Sequence, residues 1–223
     1  QLSFSGASKK LRYSLTGSYF AQDGIIIQSD FKRYAFRGNV DWNITKKLTA
    51  GVSYTYANIK STGVLTNAGT IVPGVITNAL LFNPNQPVYD STVPGGYTYE
   101  NDRGKTLGNP VAEAEKHLSL SKSSRHLGNV YVKYELLKGL ELKSSFGIDA
   151  FDQQDNSYAP YYLKRAEASH GEASVGTNKG STWLNENTIT YTKDFKNNHR
   201  INAVAGLSGD GPRRGGARRR RWA

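Results

Sequence analysis

The chain contains 223 residues, including 23 glycines and 14 tyrosines, but no cysteine and no methionine. The lack of cysteine excludes disulfides, cysteine-ligated zinc, iron–sulfur clusters and thiol catalysis. The formal net charge is +11, but six of the 29 basic residues lie within residues 209–223, so the basic signal is largely a property of the tail. We expect no nucleic-acid partner; the alternative is nucleic-acid binding driven by residues 213–221. The longest apolar runs are far shorter than the roughly 18 residues that a membrane-spanning helix needs.

The first residues already alternate like a strand, because Leu2 and Phe4 are separated by a serine. No charged and apolar leader that resembles a signal peptide precedes them. Together with the lack of methionine, this start predicts that the sequence is an internal segment of a longer protein.

Eight segments show the period-2 alternation of apolar and polar residues that is typical of a strand with two unlike faces. In the second segment, Leu11, Tyr13 and Leu15 share one parity, and polar residues occupy the positions between them. Most of these segments are about as long as a tilted membrane strand, which needs roughly nine to eleven residues. The eight segments are residues 2–6, 11–20, 33–44, 48–56, 129–136, 140–151, 182–192 and 199–208.

The connections between these segments alternate strictly between short and long. The short ones are residues 8–10, 45–47, 138–139 and 196–198, and the long ones are residues 21–30, 60–125 and 152–181. A transmembrane barrel has this pattern because its turns are tight on one side of the membrane and its loops are long on the other. In the longest connection, short helices are expected at residues 75–82 and 111–116.

Aromatic residues near the strand ends predict two interfacial girdles. On the long-loop side these are Tyr19, Phe20, Tyr34, Tyr54, Tyr56 and Phe151; on the short-turn side they are Trp42, Tyr134 and Tyr191. The sequence therefore predicts an all-β fold, an antiparallel transmembrane β-barrel segment of about eight strands from a larger barrel. The alternative is a soluble β-sandwich that serves as a binding or adhesin module.

Two sets of residues are candidate binding positions. Tyrosines in the long connections can stack on sugar rings or pack on a lid protein, although packing within the loops is an equal alternative for each. These are Tyr89, Tyr97, Tyr99, Tyr158, Tyr161 and Tyr162. Polar side chains on the strands are expected to line a water-filled lumen or to contact a plug, whereas in a sandwich they would be solvated. These are Arg33, Arg37, Asp41, Asn129, Lys133, Glu141 and Lys143.

No motif predicts catalysis. The sequence GKT at residues 104–106 resembles the end of a phosphate-binding loop, but Tyr99 occupies the position of the required first glycine. The aspartates at 149, 152 and 155 lack the spacing of an EF-hand, and the four histidines are scattered. We therefore expect no enzyme activity, no cofactor and no bound metal.

Several stretches, in order along the chain, resemble the SusC/RagA family of TonB-dependent outer-membrane transporters. They are YSLTGSYFAQDGII at 13–26, SDFKRY at 29–34, RGNVD at 37–41, LGNVY at 127–131, LELKSSFG at 140–147, NSYAP at 156–160 and WLNENT at 183–188. Each match is weak alone, but the series is specific and covers residues 1–208.

The resemblance implies a plugged barrel of roughly 22 strands in the outer membrane of Gram-negative, Bacteroidetes-type bacteria. It also implies that a SusD-like surface lipoprotein lids the barrel and that the TonB complex supplies energy through parts of the protein outside this sequence. The implied substrates are oligosaccharides or peptides, imported by gating without covalent chemistry.

The last fifteen residues depart from the family pattern. From residue 209 onward, glycine, proline and arginine replace the alternating strand residues. We therefore expect two parts, namely residues 1–208 as a partial TonB-dependent receptor barrel and residues 209–223 as a frameshifted or disordered tail. A genuine basic extension is the alternative.

Overall fold

The structure, a computed structural model, describes residues 1–64, 74–102, 105–195, 199–213 and 218–222. Its large sheet contains β1 Leu2–Ala7, β2 Leu11–Asp23, β3 Asp30–Asn43, β4 Leu48–Thr62, β7 Leu118–Leu137, β8 Leu140–Ala159, β9 Glu172–Phe195, β10 His199–Arg213 and β11 Arg218–Trp222. The order β1-β2-β3-β4-β7-β8-β9-β10 is an antiparallel meander, and β11 pairs with β9. The predicted all-β barrel segment is confirmed.

All eight predicted strands are present, but several reach farther toward the long connections than the alternation predicts. β7 begins at Leu118 instead of residue 129, β8 ends at Ala159 instead of residue 151, and β9 begins at Glu172 instead of residue 182. The added residues are mostly polar on both faces, so no alternation marks them. Backbone pairing nevertheless continues there, because ladder hydrogen bonds need no apolar face.

Cross-strand register separates an apolar face from a polar face. One row across four strands consists of Val40, Val52, Val130 and Phe146. The adjacent row consists of Asp41, Gly51, Tyr131 and Ser145. Because side chains alternate along a strand, this row faces the opposite side of the sheet. Val130 and Phe146 remain 48% and 45% exposed, so the apolar face is uncovered in the part of the chain that the structure describes.

Two connections form a small unit at one end of the sheet. We call it the loop unit, which comprises residues 74–102, 105–117 and 160–171. It contains α1 Val75–Leu81, α2 Pro110–Lys116 and the ribbon of β5 Glu100–Asp102 with β6 Lys105–Leu107. Among the described residues, no helix is long and apolar enough to cross a membrane.

Both short helices lie where the sequence predicts them, and α2 shows why. The Asn109 side chain caps its first turn, accepting hydrogen bonds from the backbone N–H groups of Val111 and Ala112 at 2.9 and 3.2 Å. Pro110 follows at the first helical position, where a missing N–H is harmless.

The loop unit has its own hydrophobic core, which includes the end of β8. The core consists of Tyr97, Ala112, Ala159, Leu163 and Ala166, with Val111 and Tyr162 packed against it. Ala112 belongs to α2, whereas Leu163 and Ala166 belong to the β8–β9 connection, so two loops that are distant in sequence hold each other in place.

The β7–β8 turn depends on a glycine. Lys138 and Gly139 alone join the two strands, and Gly139 has a φ of 83°, in the left-handed region. A Cβ at Gly139 would lie 2.1 Å from the carbonyl oxygen of Thr192 in the neighbouring strand. A register shift between Glu135 and Leu137 accompanies the turn. Any side chain at position 139 would therefore push β9 away from the turn.

Strand structure continues beyond residue 208, where the alternation of the sequence predicts that it ends. β10 continues to Arg213 and pairs with residues 181–195 of β9. β11 pairs with residues 173–177 of β9, along the same edge of that strand. Backbone pairing again does not require alternating apolar residues. The frameshift hypothesis for residues 209–223 stays a prediction, and the predicted turn at 196–198 lies outside the described residues.

Gly51 provides a test of the polar face. The Tyr131 ring lies over it, and a Cβ at Gly51 would lie 2.2 Å from Tyr131 Cε1. We expect Gly51→Ala to displace the ring and to lower the free energy of unfolding by about 1–3 kcal/mol, measured in detergent by thermal unfolding. The matched control is Gly17→Ala, where the added methyl meets nothing within 4 Å. Equal stability of the two variants would contradict this packing.

Candidate binding site

The polar sheet face carries all seven strand residues that the sequence selects for the lumen. Asp41, Lys133, Glu141 and Lys143 come together near the short-turn end. Arg33, Arg37 and Asn129 lie on the same face, farther toward the loop unit. The pairing register alone places these seven residues on one face. Contact of any of them with a ligand stays a prediction.

Tyr131 organises the short-turn end of this face. Its hydroxyl donates a hydrogen bond of 2.5 Å to Asp41 Oδ1, and Lys143 Nζ lies 5.5 Å from the centre of its ring. Next to it, Lys133 Nζ lies 3.3 Å from Glu141 Oε1. Tyr131 has the same parity as Asn129 and Lys133, but nothing in the sequence indicates its contact with Asp41 across 90 residues.

Arg125 and Asp149 form a second polar contact on the same face. Arg125 Nε donates to Asp149 Oδ1 at 2.9 Å, and Arg125 Nη2 donates to Asp149 Oδ2 at 2.5 Å. This two-pronged geometry fixes the planes of both groups. Opposite charges thus pair directly along the face, and the arrangement suits a wet wall that binds polar ligands.

The six tyrosines selected from the sequence have different positions. Tyr97 is only 9% exposed and donates a 2.6 Å hydrogen bond to Glu115 Oε2, and Tyr162 packs against the same core. These two side chains hold the loop unit together. Tyr99 lies under the ammonium group of Lys164, with Nζ 3.6 Å from the ring centre.

The other three tyrosines are exposed, but they do not face the same way. Tyr89 is 63% exposed beside Tyr97, and Tyr161 is 56% exposed against the edge of Tyr162, so both present faces on the loop unit. Tyr158, on β8, has the parity of the apolar sheet face. It therefore points away from the side on which its neighbour Ser157 contacts the loop unit.

A partly buried polar cluster joins the loop unit to the sheet. His117 Nε2 lies 3.1 Å from Ser157 Oγ, and Arg165 Nη1 lies 3.4 Å from His117 Nδ1. Arginine can only donate, so Nδ1 accepts and the ring proton resides on Nε2, which donates to Ser157. Sequence reasoning dismissed the histidines as scattered and missed this contact.

Burial shifts the pKa values of two residues on this face of α2. Desolvation raises the pKa of the Glu113 carboxyl to about 7; the charge of Arg165 opposes the rise and Glu172 adds to it. Desolvation also lowers the pKa of His117 to about 4, and Arg165 lowers it further. At neutral pH His117 is therefore uncharged, and Glu113 takes up a proton at a higher pH than an exposed glutamate does.

The described residues contain no group of three or more side chains that could hold a metal ion. The polar sheet face presents paired charges and hydroxyl groups, and the loop unit presents exposed aromatic rings. The opposite face of the sheet is apolar. Such a polar face can bind and orient polar ligands. Together with the meander, it defines the class of molecule as a wall segment of a membrane-type β-barrel.

No family model matches the chain. The chain is 34% identical over 211 residues to TonB-dependent receptor P3 of Formosa agariphila and 31% identical over 212 residues to TonB-dependent receptor P26 of the same organism, and each match covers 93% of the chain. The chain spans about a fifth of the length of these relatives, 21% and 20% respectively.

Two solved structures have the same fold over 98% of the chain. The RagAB peptide importer in its closed-closed state gives a TM-score of 0.72 at 19% identity, and the RagAB peptide transporter gives 0.71 at 21% identity. The chain matches 28% of each of those chains. The chain belongs to the TonB-dependent receptor family, as its sequence motifs predict. Its fold is that of the corresponding part of the RagAB structures.

Glu113 gives the site a testable pH dependence. The ordinary pKa of a glutamate is 4.5, and the folded value is about 7. Between these values the folded state holds the extra proton, so the stability of the loop unit falls as the pH rises. We expect Glu113→Gln to lose less stability than the wild type between about pH 5 and about pH 8, measured by hydrogen exchange of the α2 amides.

The opposite slope from His117 is present in both proteins and cancels in this comparison. The matched control is Glu167→Gln, which alters an exposed carboxylate of the same loop unit and should keep the wild-type profile. Parallel pH profiles for Glu113→Gln and the wild type would show that Glu113 is not the group responsible.

Proposed function

We propose that the chain forms part of the barrel wall of a TonB-dependent outer-membrane transporter. The transporter imports oligosaccharides or peptides with a SusD-like surface lipoprotein in a Gram-negative, Bacteroidetes-type bacterium. Its action is energised gating, with no covalent chemistry by this chain. The similarity to receptors and importers over nearly the whole chain supports this assignment.

The observation that carries the proposal is the uncovered apolar face of the sheet. Large side chains of this face are between about a third and two thirds exposed, among them Phe4, Phe36, Trp42, Val52, Val130, Phe146 and Trp183. Exposed apolar area of this extent in a water-soluble protein would promote association. In a bilayer the same band is in contact with lipid, and the polar face lines the interior.

The loop unit suggests where partners bind. It lies at the long-loop end of the sheet, which in this class of barrel is the extracellular end. Tyr89 and Tyr161 present exposed rings there, and Ile76 and Leu80 on α1 are 47% and 81% exposed. We assign this surface to the lid lipoprotein. Contact with the TonB complex would occur through parts of the transporter outside this sequence.

A soluble β-sandwich fits less well. A sandwich needs two sheets packed face to face, whereas the described strands form one large sheet and one two-stranded ribbon. We also expect no nucleic-acid partner, because two cations of the polar face, Arg125 and Lys133, are paired with carboxylates.

A pair of arginine substitutions at adjacent positions tests which face of the sheet contacts lipid. Val130→Arg places a charge on the apolar face, and in a bilayer it should lower the free energy of unfolding by about 2–4 kcal/mol. Asn129→Arg places the same charge on the polar face and should have little effect. The measurement is urea titration of the receptor in lipid bilayers. If both variants match the wild type, the apolar face does not contact lipid.

The lid assignment is tested on the exposed tyrosines. Tyr89→Ala combined with Tyr161→Ala should weaken binding of the SusD-like lipoprotein about tenfold or more, because exposed aromatic anchors dominate such contacts. The control is Tyr158→Ala, which removes an exposed ring on the other side of the sheet. Calorimetry in detergent gives the affinities. An equal loss in the control would argue against a contact through the loop unit.

A further inference from the structure

Three neighbouring strands enclose a cavity on the polar face, beneath the loop unit. Its volume is about 350 Å³, enough for roughly ten water molecules. Two adjacent cross-strand rows form its floor. They are Ser119, Ser157 and Ser174 in one row and Ser121, Asp155 and Gly176 in the other. We call this space the serine cavity.

The serine cavity exists because five of the six floor positions are serine or glycine. Elsewhere on the polar face, long side chains such as Arg125 and Lys143 cover the backbone. At Gly176 the missing side chain deepens the hollow, and a Cβ there would make only an ordinary contact of 3.9 Å with Asp155 Cβ. A larger residue would fit the strand and fill the space, so the hollow is not required by backbone geometry.

Hydrogen-bonding groups of both kinds surround the cavity. Ser121 Oγ donates to Asp155 Oδ1 at 2.6 Å, and Gln153 Nε2 lies 3.2 and 3.1 Å from the two carboxylate oxygens. At the other side Ser157 Oγ lies 3.1 Å from His117 Nε2. The four hydroxyl groups can each donate and accept, whereas the carboxylate can only accept.

This combination favours a ligand that is itself rich in hydroxyl groups. A sugar hydroxyl donates one hydrogen bond and accepts others, as the serines do, and its proton can also reach the carboxylate. An ammonium ion would have to compete with Ser121 and Gln153, which already donate to the carboxylate of Asp155. The guanidinium of Arg165, bonded to His117 at the cavity edge, adds a repelling positive charge.

We propose that the serine cavity is a subsite for the hydroxyl groups of a carbohydrate ligand. The proposal rests on the proposed transporter function and gives its substrate class as an oligosaccharide. No aromatic ring lines the cavity among the described residues, so it would bind a sugar by its hydroxyl edge. The exposed rings of Tyr89 and Tyr161 belong to the loop unit, which contacts the cavity wall through His117 and Ser157.

The test measures binding of glucose, galactose and mannose to the intact receptor in detergent, by saturation-transfer NMR and calorimetry. Glycylglycine, a zwitterion that carries an ammonium group, serves as the peptide comparison. We expect saturable binding of at least one sugar, and at least tenfold weaker binding by Gly176→Val, which fills the cavity. The matched control is Gly147→Val, a glycine on the same face of β8, where an added Cβ meets its nearest atom, Asn129 Nδ2, at 3.5 Å.

A second variant, Asp155→Asn, keeps the shape of the cavity and removes its charge. Sugar binding should weaken only a few-fold, because the amide oxygen still accepts. Three results would overturn the proposal: no saturable sugar binding by the wild type, sugar binding unchanged in Gly176→Val, or binding of glycylglycine alone that Asp155→Asn abolishes.

Failure of the transporter function is distinguishable from failure of the subsite. A receptor absent from the outer-membrane fraction contradicts the proposed function and removes the basis for this subsite as a transport element. A receptor that is present there, and whose Gly176→Val variant binds sugars like the wild type, contradicts the subsite alone.

Discussion

One continuous antiparallel register is the constraint on which the rest of the structure depends. A slip of one residue in any strand would exchange its apolar and polar faces. Along the described meander the pairing shifts only between Glu135 and Leu137, beside the Lys138–Gly139 turn, where the strands end. The row of valines and the row that contains Asp41 and Tyr131 therefore stay on opposite sides across the sheet. Both the lipid band and the polar wall follow from this register.

The register also determines what the loop unit can contact. Because β7, β8 and β9 remain paired beyond the apolar band, their polar ends form a platform for the loops. Ser157 belongs to this platform, and it meets His117 at the end of α2. The serine cavity uses the same three strands. The candidate binding surfaces are thus continuous from the paired charges near the short turns to the exposed tyrosines of the loop unit.

Much of the fold could be predicted from the sequence because alternation reports burial on one face. Val130 and Asn129 could be assigned to opposite faces without any structure. Alternation does not predict the strand where both faces are mostly polar, as at residues 118–128, because backbone pairing there leaves no pattern in the sequence. It also could not distinguish Tyr97, a core residue, from Tyr89, an exposed one. That difference arises from packing between the β8–β9 connection and α2, more than 40 residues apart, and local sequence does not encode it.

The long connection between β4 and β7 has a consequence for the order of folding. The other neighbouring strands of the meander are joined by at most the twelve residues 160–171, whereas residues 63–117 separate β4 from β7 along the chain. Closing a longer loop costs more chain entropy and slows pairing. We expect β1–β4 and β7–β10 to form first as two separate blocks. Their association would be the late step, during which the loop unit acquires its core.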